Sequence, residues 1–274
     1  LISKNDFAPR TSLGQNFLVN LDIVRKTVER ADISDQDVIL EIGPGQGVLT
    51  RAILGSPCRH LHSIEIDRRL EPYLSDLTDE RRFSLHWGDG VTFPYEELYP
   101  IPNKVVANIP YHVTTPLIWS IMESLATKGL SYMILMVQKE AADRLVASKN
   151  TKERYPLGIT IETMGKAKTF MKVSPGSFRP IPRVSSALVE IEIHRRTELP
   201  QNHLWRKLMK ASFAQRRKKL VNNLTALGWK KDLLESWLEK SDIPTASRAE
   251  DLSCDQWLSL LDIIERNTES PADL

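Results

Sequence analysis

The sequence predicts an α/β fold: a mostly parallel sheet covered by helices, followed by a small all-helical module. Three observations carry this. Five short apolar runs in the first half of the chain alternate with amphipathic stretches of helical period. Two further β-like runs flank a proline-rich loop before residue 194. Beyond about residue 198 the β signal stops and only helical periodicity continues.

In order, the expected strands are Val38–Ile42, Leu61–Glu65, Phe83–His86, Lys104–Asn108 and Tyr132–Val137. Val48–Leu54, Arg68–Leu77 and Pro116–Lys128 are the intervening helices. Strands separated in this way pair parallel, because a crossover helix returns the chain to the same edge. Thr169–Val173 and Ala187–Ile193 read as an antiparallel closing pair, joined by the rigid loop Ser174-Pro175-Gly176-Ser177-Phe178-Arg179-Pro180-Ile181-Pro182. Leu204–Phe213, Lys218–Leu227, Leu233–Leu238 and Gln256–Ile264 read as short amphipathic helices. The expected domains are therefore 1–197 and 198–274.

Of the 274 residues, 41% are hydrophobic and 26% charged, which is the composition of a globular chain and not of a disordered one. Two cysteines, Cys58 and Cys254, without a Cys-x-x-Cys, exclude a disulfide scaffold and speak against structural zinc. His60 and His62 share one strand face, but no third ligand is in sight, so no metal is expected. The longest wholly apolar run, Ile134–Val137 after Tyr132 and Met133, is too short to span a bilayer. Leu1–Asp6 has no charged-then-apolar leader pattern. The expectation is a soluble, cytoplasmic monomer. Its net charge of +2 is unevenly spread. Residues 195–231 hold eleven bases against one acid, and 232–274 hold three bases against eleven acids. Such a basic block is either a solvated helix face or an attractor of nucleic acid.

Val38-Ile39-Leu40-Glu41-Ile42-Gly43-Pro44-Gly45-Gln46-Gly47 is a strand running into a glycine loop that opens a helix. Without a Cβ, Gly43 and Gly45 let a ligand lie against the backbone. Glu65 ends the next strand, where a carboxylate holds two ribose hydroxyls. Asp89 follows the third strand and can accept a hydrogen bond from an adenine amine. The Gly-x-Gly-x-Gly spacing counts against a pyrophosphate site and favours an adenosine ligand without a diphosphate, such as S-adenosylmethionine. The loop alone is weak evidence, since a tight structural turn in a βα unit can carry it too; the two carboxylates favour a ligand. Glu41 reads as structural.

The fourth strand ends in Asn108-Ile109-Pro110-Tyr111. An Asn amide oxygen and the carbonyl before a proline can accept both hydrogens of an exocyclic amine. Proline stiffens the turn, and tyrosine offers a flat face for a base taken out of its stack. Amino methyltransferases carry this arrangement.

On these residues the sequence resembles the small-subunit ribosomal RNA adenine dimethyltransferases of the KsgA type. The matching segments are Leu13–Leu18, Glu41–Thr50, Glu65–Asp67, Gly88-Asp89, Asn108–Tyr111 with Thr115-Pro116, Gln138–Glu140 with Arg144-Leu145, Phe178–Val184 and Phe213–Leu220. The resemblance implies a Rossmann-like S-adenosylmethionine-dependent methyltransferase fold with a seven-stranded sheet. It implies that Asn16, Leu18, Gly43, Gly45, Glu65, Asp89 and Asn108 line the cofactor pocket. Asn108 would also grip the target amine, with Pro110 holding the turn, Tyr111 stacking on adenine and Phe178 packing on its other face. It implies N6,N6-dimethylation of adenines in small-subunit ribosomal RNA, with a contribution to subunit biogenesis. His112, Ser185 and Tyr155-Pro156-Leu157-Gly158 depart from the family pattern. Pro156 suits a first helical turn, so that helix is expected to survive.

Arg206, Lys207 and Lys210, with Arg216, Arg217, Lys218 and Lys219 at the start of the next helix, are the expected phosphate contacts. The acidic stretch after Asp232 either pairs with this basic face or aids solubility. Other readings keep the fold. The erythromycin-resistance methyltransferases act on large-subunit RNA, but Phe213–Leu220 resembles the small-subunit group. An assembly factor with dispensable catalysis and a DNA or small-molecule methyltransferase are the remaining alternatives.

Overall fold

The computed structural model describes residues 7–10, 13–195 and 197–268; the opening segment read for a leader lies outside them. The elements run β1 (Phe17–Leu18), α1 (Leu21–Ala31), β2 (Val38–Ile42), α2 (Val48–Leu54), β3 (His60–Glu65), α3 (Glu71–Leu74), β4 (Phe83–Trp87), β5 (Lys104–Asn108), α4 (Thr114–Leu125), β6 (Tyr132–Gln138), α5 (Lys139–Leu145), α6 (Pro156–Met164), β7 (Gly165–Val173), β8 (Phe178–Arg179), β9 (Ser186–Ile193), α7 (His203–Ser212), α8 (Leu220–Leu224), α9 (Lys231–Lys240) and α10 (Cys254–Asn267).

Two compact units divide the chain: Leu1–Asp143 with Lys166–Arg196, and Arg144–Gly165 with Thr197–Leu274. A single cut at 197/198 therefore misses an excursion. The stretch 144–165 groups with the helical unit because α6 is apolar nearly all round. Leu157, Ile159, Ile161 and Met164 are all buried, and a helix this apolar needs packing partners on most of its sides.

In the first unit, seven strands lie in the order β4-β3-β2-β5-β6-β9-β7. β2 is parallel to β3 and β5, β3 to β4, and β5 to β6, while β9 runs antiparallel to β6. Every residue of β2 is buried, as befits a central strand covered on both faces. The chain winds outward from β2 to β4, then returns to β2's other side as β5. That reversal leaves a crevice beyond the carboxyl ends of β2 and β5, the place where open α/β sheets bind ligands.

Two local differences from expectation have clear causes. Arg68–Leu77 is not one helix but a 3-10 turn, α3 and a second 3-10 turn. Pro72 has no N–H to give the Arg68 carbonyl, so Glu71 N–H takes that carbonyl instead. α1 was not among the expected helices, because five of its eleven residues are charged and mask a narrow stripe of Ile23, Val24, Thr27 and Ala31. Asn20 fixes its start by accepting from Asp22 and Ile23 N–H.

The helical unit is built on Trp205, Trp237 and Trp257, all fully buried. Trp205 and Trp257 pack edge to face at 6.4 Å, and Trp205 Nε1 donates to Thr160 Oγ1 at 2.9 Å. α6 survives its Pro156-Leu157-Gly158 start, with Pro156 in the first turn. Gly158 is required there: a Cβ would stand 2.5 Å from the Arg144 carbonyl oxygen.

Candidate active site

A cleft of about 1260 Å³, part of it open to solvent, lies at the carboxyl ends of β2, β3 and β5. Its walls include Asn16, Leu18, Gly43, Gly45, Glu65, Asp89, Asn108, Pro110 and Tyr111. Nine of the ten residues expected at the cofactor and catalytic positions are thus brought together. Phe178 is the exception. β8 pairs with β1, Phe178 opposite Leu18, and the Phe178 ring is wholly buried in the apolar core. It offers no face to a ligand, because its size and apolarity are spent anchoring the short β1–β8 pair. Its assignment as the second stacking ring is corrected accordingly.

Gly43 (φ 70°) and Gly45 (φ 57°) both lie in the left-handed region that favours glycine. A Cβ on Gly43 would project into free space, its nearest neighbour the Asn108 carbonyl at 3.9 Å. A cradle with that much room against bare backbone fits a ligand lying along the loop. On Gly45 the Cβ would meet the Phe17 ring at 3.0 Å, so the loop also needs this glycine for packing.

Glu65 is buried at the end of β3. Its Oε2 accepts Gly45 N–H at 3.2 Å, and Oε1 accepts Ile66 and Asp67 N–H at 3.0 and 2.9 Å. Burial pushes this carboxyl up from its usual range, against those three backbone donors. Asp89 is exposed and uses Oδ1 to accept Val91 N–H at 2.9 Å. Glu41 does not line the cleft. It is buried in β2, accepts from Ser63 Oγ at 2.6 Å, and leaves Oε1 without a partner. Burial raises it to about 7.

Asn108 lines the cleft, and its Nδ2 donates to the carbonyl of Asn16, another lining residue, at 3.4 Å. The next residue is anchored by Ile109 N–H donating to Met136 O at 3.0 Å. Tyr111 is half-buried, and its hydroxyl shares a 2.6 Å hydrogen bond with Ser186 Oγ. His112 is exposed at the rim, its Nδ1 2.8 Å from where a Gly14 Cβ would stand.

Three contributors escaped the sequence reading as site residues. Gln15 lines the cleft and donates Nε2 to Asp67 Oδ2 at 2.8 Å, tying the segment before β1 to the end of β3. Asp67 is held down to about 2 by the Arg69 guanidinium, 2.5 Å away, with Gln15 assisting. Gln15 and Asp67 belong to segments that carried the resemblance; nothing in their spacing says that they meet. Ser186, at the head of an apolar strand, carries no local signal at all.

The His60 and His62 rings pack at a tilt, 4.5 Å apart, with nitrogens engaged by Ser84, His86 and the Pro100 carbonyl. Burial lowers His62 to about 4, so it is neutral. No group of three metal-ligating side chains converges among the described residues.

In the helical unit, Arg206, Lys207 and Lys210 lie on α7. Arg216, Arg217, Lys218 and Lys219 occupy the turn ahead of α8, which starts at Leu220 and not at Lys218. Arg216 pairs with Glu250 at 2.8 Å, one link between the basic stretch and the acidic one. No helix among the described residues is long and apolar enough to cross a membrane.

A family model described as "Ribosomal RNA adenine dimethylase" matches residues 6–266. A "Ribosomal RNA small subunit methyltransferase A" from Fusobacterium nucleatum subsp. nucleatum is 36% identical over 266 residues, covering 95% of this chain and 99% of its own. The protein of the same name from Clostridium botulinum (strain Kyoto / Type A2) is 34% identical over 270 residues, covering 96% and 97%. Among solved structures, a dimethyladenosine transferase from Plasmodium falciparum superposes with a TM-score of 0.77 at 24% identity, covering 91% of this chain and 98% of its own. The 23S rRNA methyltransferase ErmE superposes with a TM-score of 0.66 at 21% identity, covering 91% and 100%. These two share the fold.

Proposed function

The chain belongs to the ribosomal RNA adenine dimethylase family, and from that premise we propose how its cleft divides the work. The reaction is S-adenosylmethionine-dependent transfer of methyl groups to the exocyclic amine of adenine in ribosomal RNA, giving N6,N6-dimethyladenosine. The cofactor, when bound, supplies a methyl already activated on a sulfonium, so the protein's task is alignment and desolvation.

Gly43 and Gly45 give the cofactor backbone to lie against. Glu65 takes the ribose hydroxyls on the lone pairs that its backbone donors leave free. Asp89 accepts from the cofactor's adenine amine with the carboxylate oxygen that Val91 does not occupy. Asn16 and Leu18 close the cofactor side. The Asn108 amide oxygen and the Ile109 carbonyl accept the two hydrogens of the target amine, drawing its lone pair out of conjugation and toward the methyl. Pro110 keeps that turn rigid, and Tyr111 stacks on the base. No general base is needed, since the methylated nitrogen is acidic enough to lose its proton to water. A base at an RNA loop or helix end unstacks at low cost. Arg206, Lys207, Lys210 and Arg216 to Lys219 position the RNA through its phosphates.

The observation that carries this reading is one shared cavity: Asn108, an amide that fits an amine, and Glu65 with Gly43, which fit an adenosine, line the same cleft. The small subunit is the proposed partner, supported by full-length likeness to proteins named for it. A cytoplasmic, monomeric enzyme that also serves subunit biogenesis completes the proposal. The test is mass spectrometry of ribosomal RNA after under-methylated small subunits are incubated with protein and labelled cofactor. Dimethyladenosine in the small-subunit RNA supports the reading. Label confined to large-subunit RNA, or none, overturns it.

A further inference from the structure

Tyr111 is joined to the strand farthest along the chain from it within the sheet unit. Ser186 is the first residue of β9, sits opposite Gln138 of β6, and is completely buried. Its hydroxyl has a 2.6 Å hydrogen bond with the Tyr111 hydroxyl. The next residue back, Ser185, is exposed and uses its carbonyl to accept Lys139 N–H at 3.0 Å. Successive strand residues face opposite sides, so only position 186 reaches the tyrosine.

A tyrosine hydroxyl lies on the axis of its ring. A partner there does not hinder rotation about that axis, but it prevents the ring from swinging about the Cα–Cβ bond. Tyr111 sits in a three-residue 3-10 turn, half-exposed on the cleft wall. Ser186 is the opposite: a short side chain, one staggered torsion, fixed by a strand paired along its length. The partner on the paired strand therefore fixes the outer end of the Tyr111 ring.

We propose that Ser186 is a positioning residue for methyl transfer, holding the Tyr111 ring in the plane where the target adenine stacks. This rests on the functional reading above for the identity of the base. The bond itself does not depend on that reading, and the experiment separates the two.

The intact protein is compared as wild type, Ser186→Ala, Ser186→Thr, Tyr111→Phe and the Ser186→Ala/Tyr111→Phe double variant. Single-turnover methylation and KM are measured on under-methylated small subunits, with cofactor affinity measured by calorimetry. Each single change is expected to slow methyl transfer about tenfold, the size that one hydrogen bond supplies. The double variant should be no slower than either, because both changes cut the same bond. Ser186→Thr, which keeps the hydroxyl, should recover most of the rate, and cofactor affinity should stay constant. A wild-type rate for Ser186→Ala overturns the proposal, as do effects that multiply to about a hundredfold in the double variant.

An arm without RNA uses protein labelled with 13C at tyrosine Cζ. Ser186→Ala is expected to move the Tyr111 resonance and leave the other five of the six tyrosines in place. An unmoved Tyr111 signal overturns the positioning role even where Ser186→Ala slows methylation. A moved signal in a protein that methylates no ribosomal RNA upholds the bond and sinks the functional reading instead.

Discussion

Asn108 gives its amide nitrogen to the backbone of Asn16, 92 residues earlier in the chain. That hydrogen bond ties the amide at the end of β5 to the residue just ahead of β1. Asn108→Ala is expected to reduce single-turnover methylation by orders of magnitude, since alignment of the reacting groups can supply ~7–11 kcal/mol. RNA affinity should fall little, because the groups proposed to hold phosphates lie elsewhere. Near-normal turnover by this variant would remove the amine-gripping role.

Glu65→Ala should weaken S-adenosylmethionine binding by about 1.5–3 kcal/mol, the range for losing hydrogen bonds to a charged group. Glu65→Gln should fall between Glu65→Ala and the wild type. Calorimetry showing wild-type affinity for Glu65→Ala would take Glu65 out of the cofactor site.

Glu41 makes folding depend on pH in a direction opposite to a salt-bridged carboxylate. Its folded value is raised to about 7 from an ordinary 4.5. Between those values the folded protein keeps a proton that the unfolded chain has released. Its contribution to stability is therefore full below pH 4.5, falls as pH rises, and is gone above about 7. Glu41→Gln, which keeps the shape and stays neutral, should remove a decline on the order of 3 kcal/mol. Denaturation at pH 5 and pH 8 checks this; equal pH slopes in both proteins would contradict it.

Reversing Arg217, Lys218 and Lys219 to Glu tests the RNA-positioning role while leaving the Arg216–Glu250 pair intact. RNA affinity should drop, and the salt slope should shrink by about 0.7–0.9 for each phosphate that the variant no longer neutralises. Cofactor affinity should not change. An unaltered salt slope would make this stretch an ordinary solvated surface.

Gly158→Ala should destabilise the helical unit by about 1–3 kcal/mol, because its Cβ would press on the Arg144 carbonyl. Four of the six tryptophans lie in residues 197–274, so fluorescence-monitored unfolding reports on this unit. An unchanged midpoint would mean that the two backbones separate freely.

Much of this was legible in advance where local pattern and final environment agree. β2, α2 and β5 match the expected spans residue for residue. Gly43, Glu65, Asp89 and Asn108 each sit at or just beyond a strand end, so strand position alone predicted that they would meet. What stayed hidden depends on long-range partners. α6 looks like any apolar run until Trp205 and Trp257 are beside it, so the unit boundary at 143/144 had no local mark. Phe178 reads as a stacking aromatic, yet the pairing of β8 with β1 claims it for the core. Gln15 and Ser186 matter through Asp67 and Tyr111, and neither distance in sequence announces the hydrogen bond.

The antiparallel ladder between β6 and β9 sets a rule for how this chain tolerates changes of length. Residues 180–185 link β8 to β9, and Lys139 N–H donating to the Ser185 carbonyl at 3.0 Å ties down the last of them. Within Ser186–Ile193 the register against β6 is fixed residue by residue. Removing one residue there would bring a neighbour opposite Gln138, turn Leu188 and Glu190 to the wrong faces, and leave the Tyr111 hydroxyl without its serine. The start of β9 is therefore a fixed reference point for the turn that carries Tyr111, some seventy-five residues upstream.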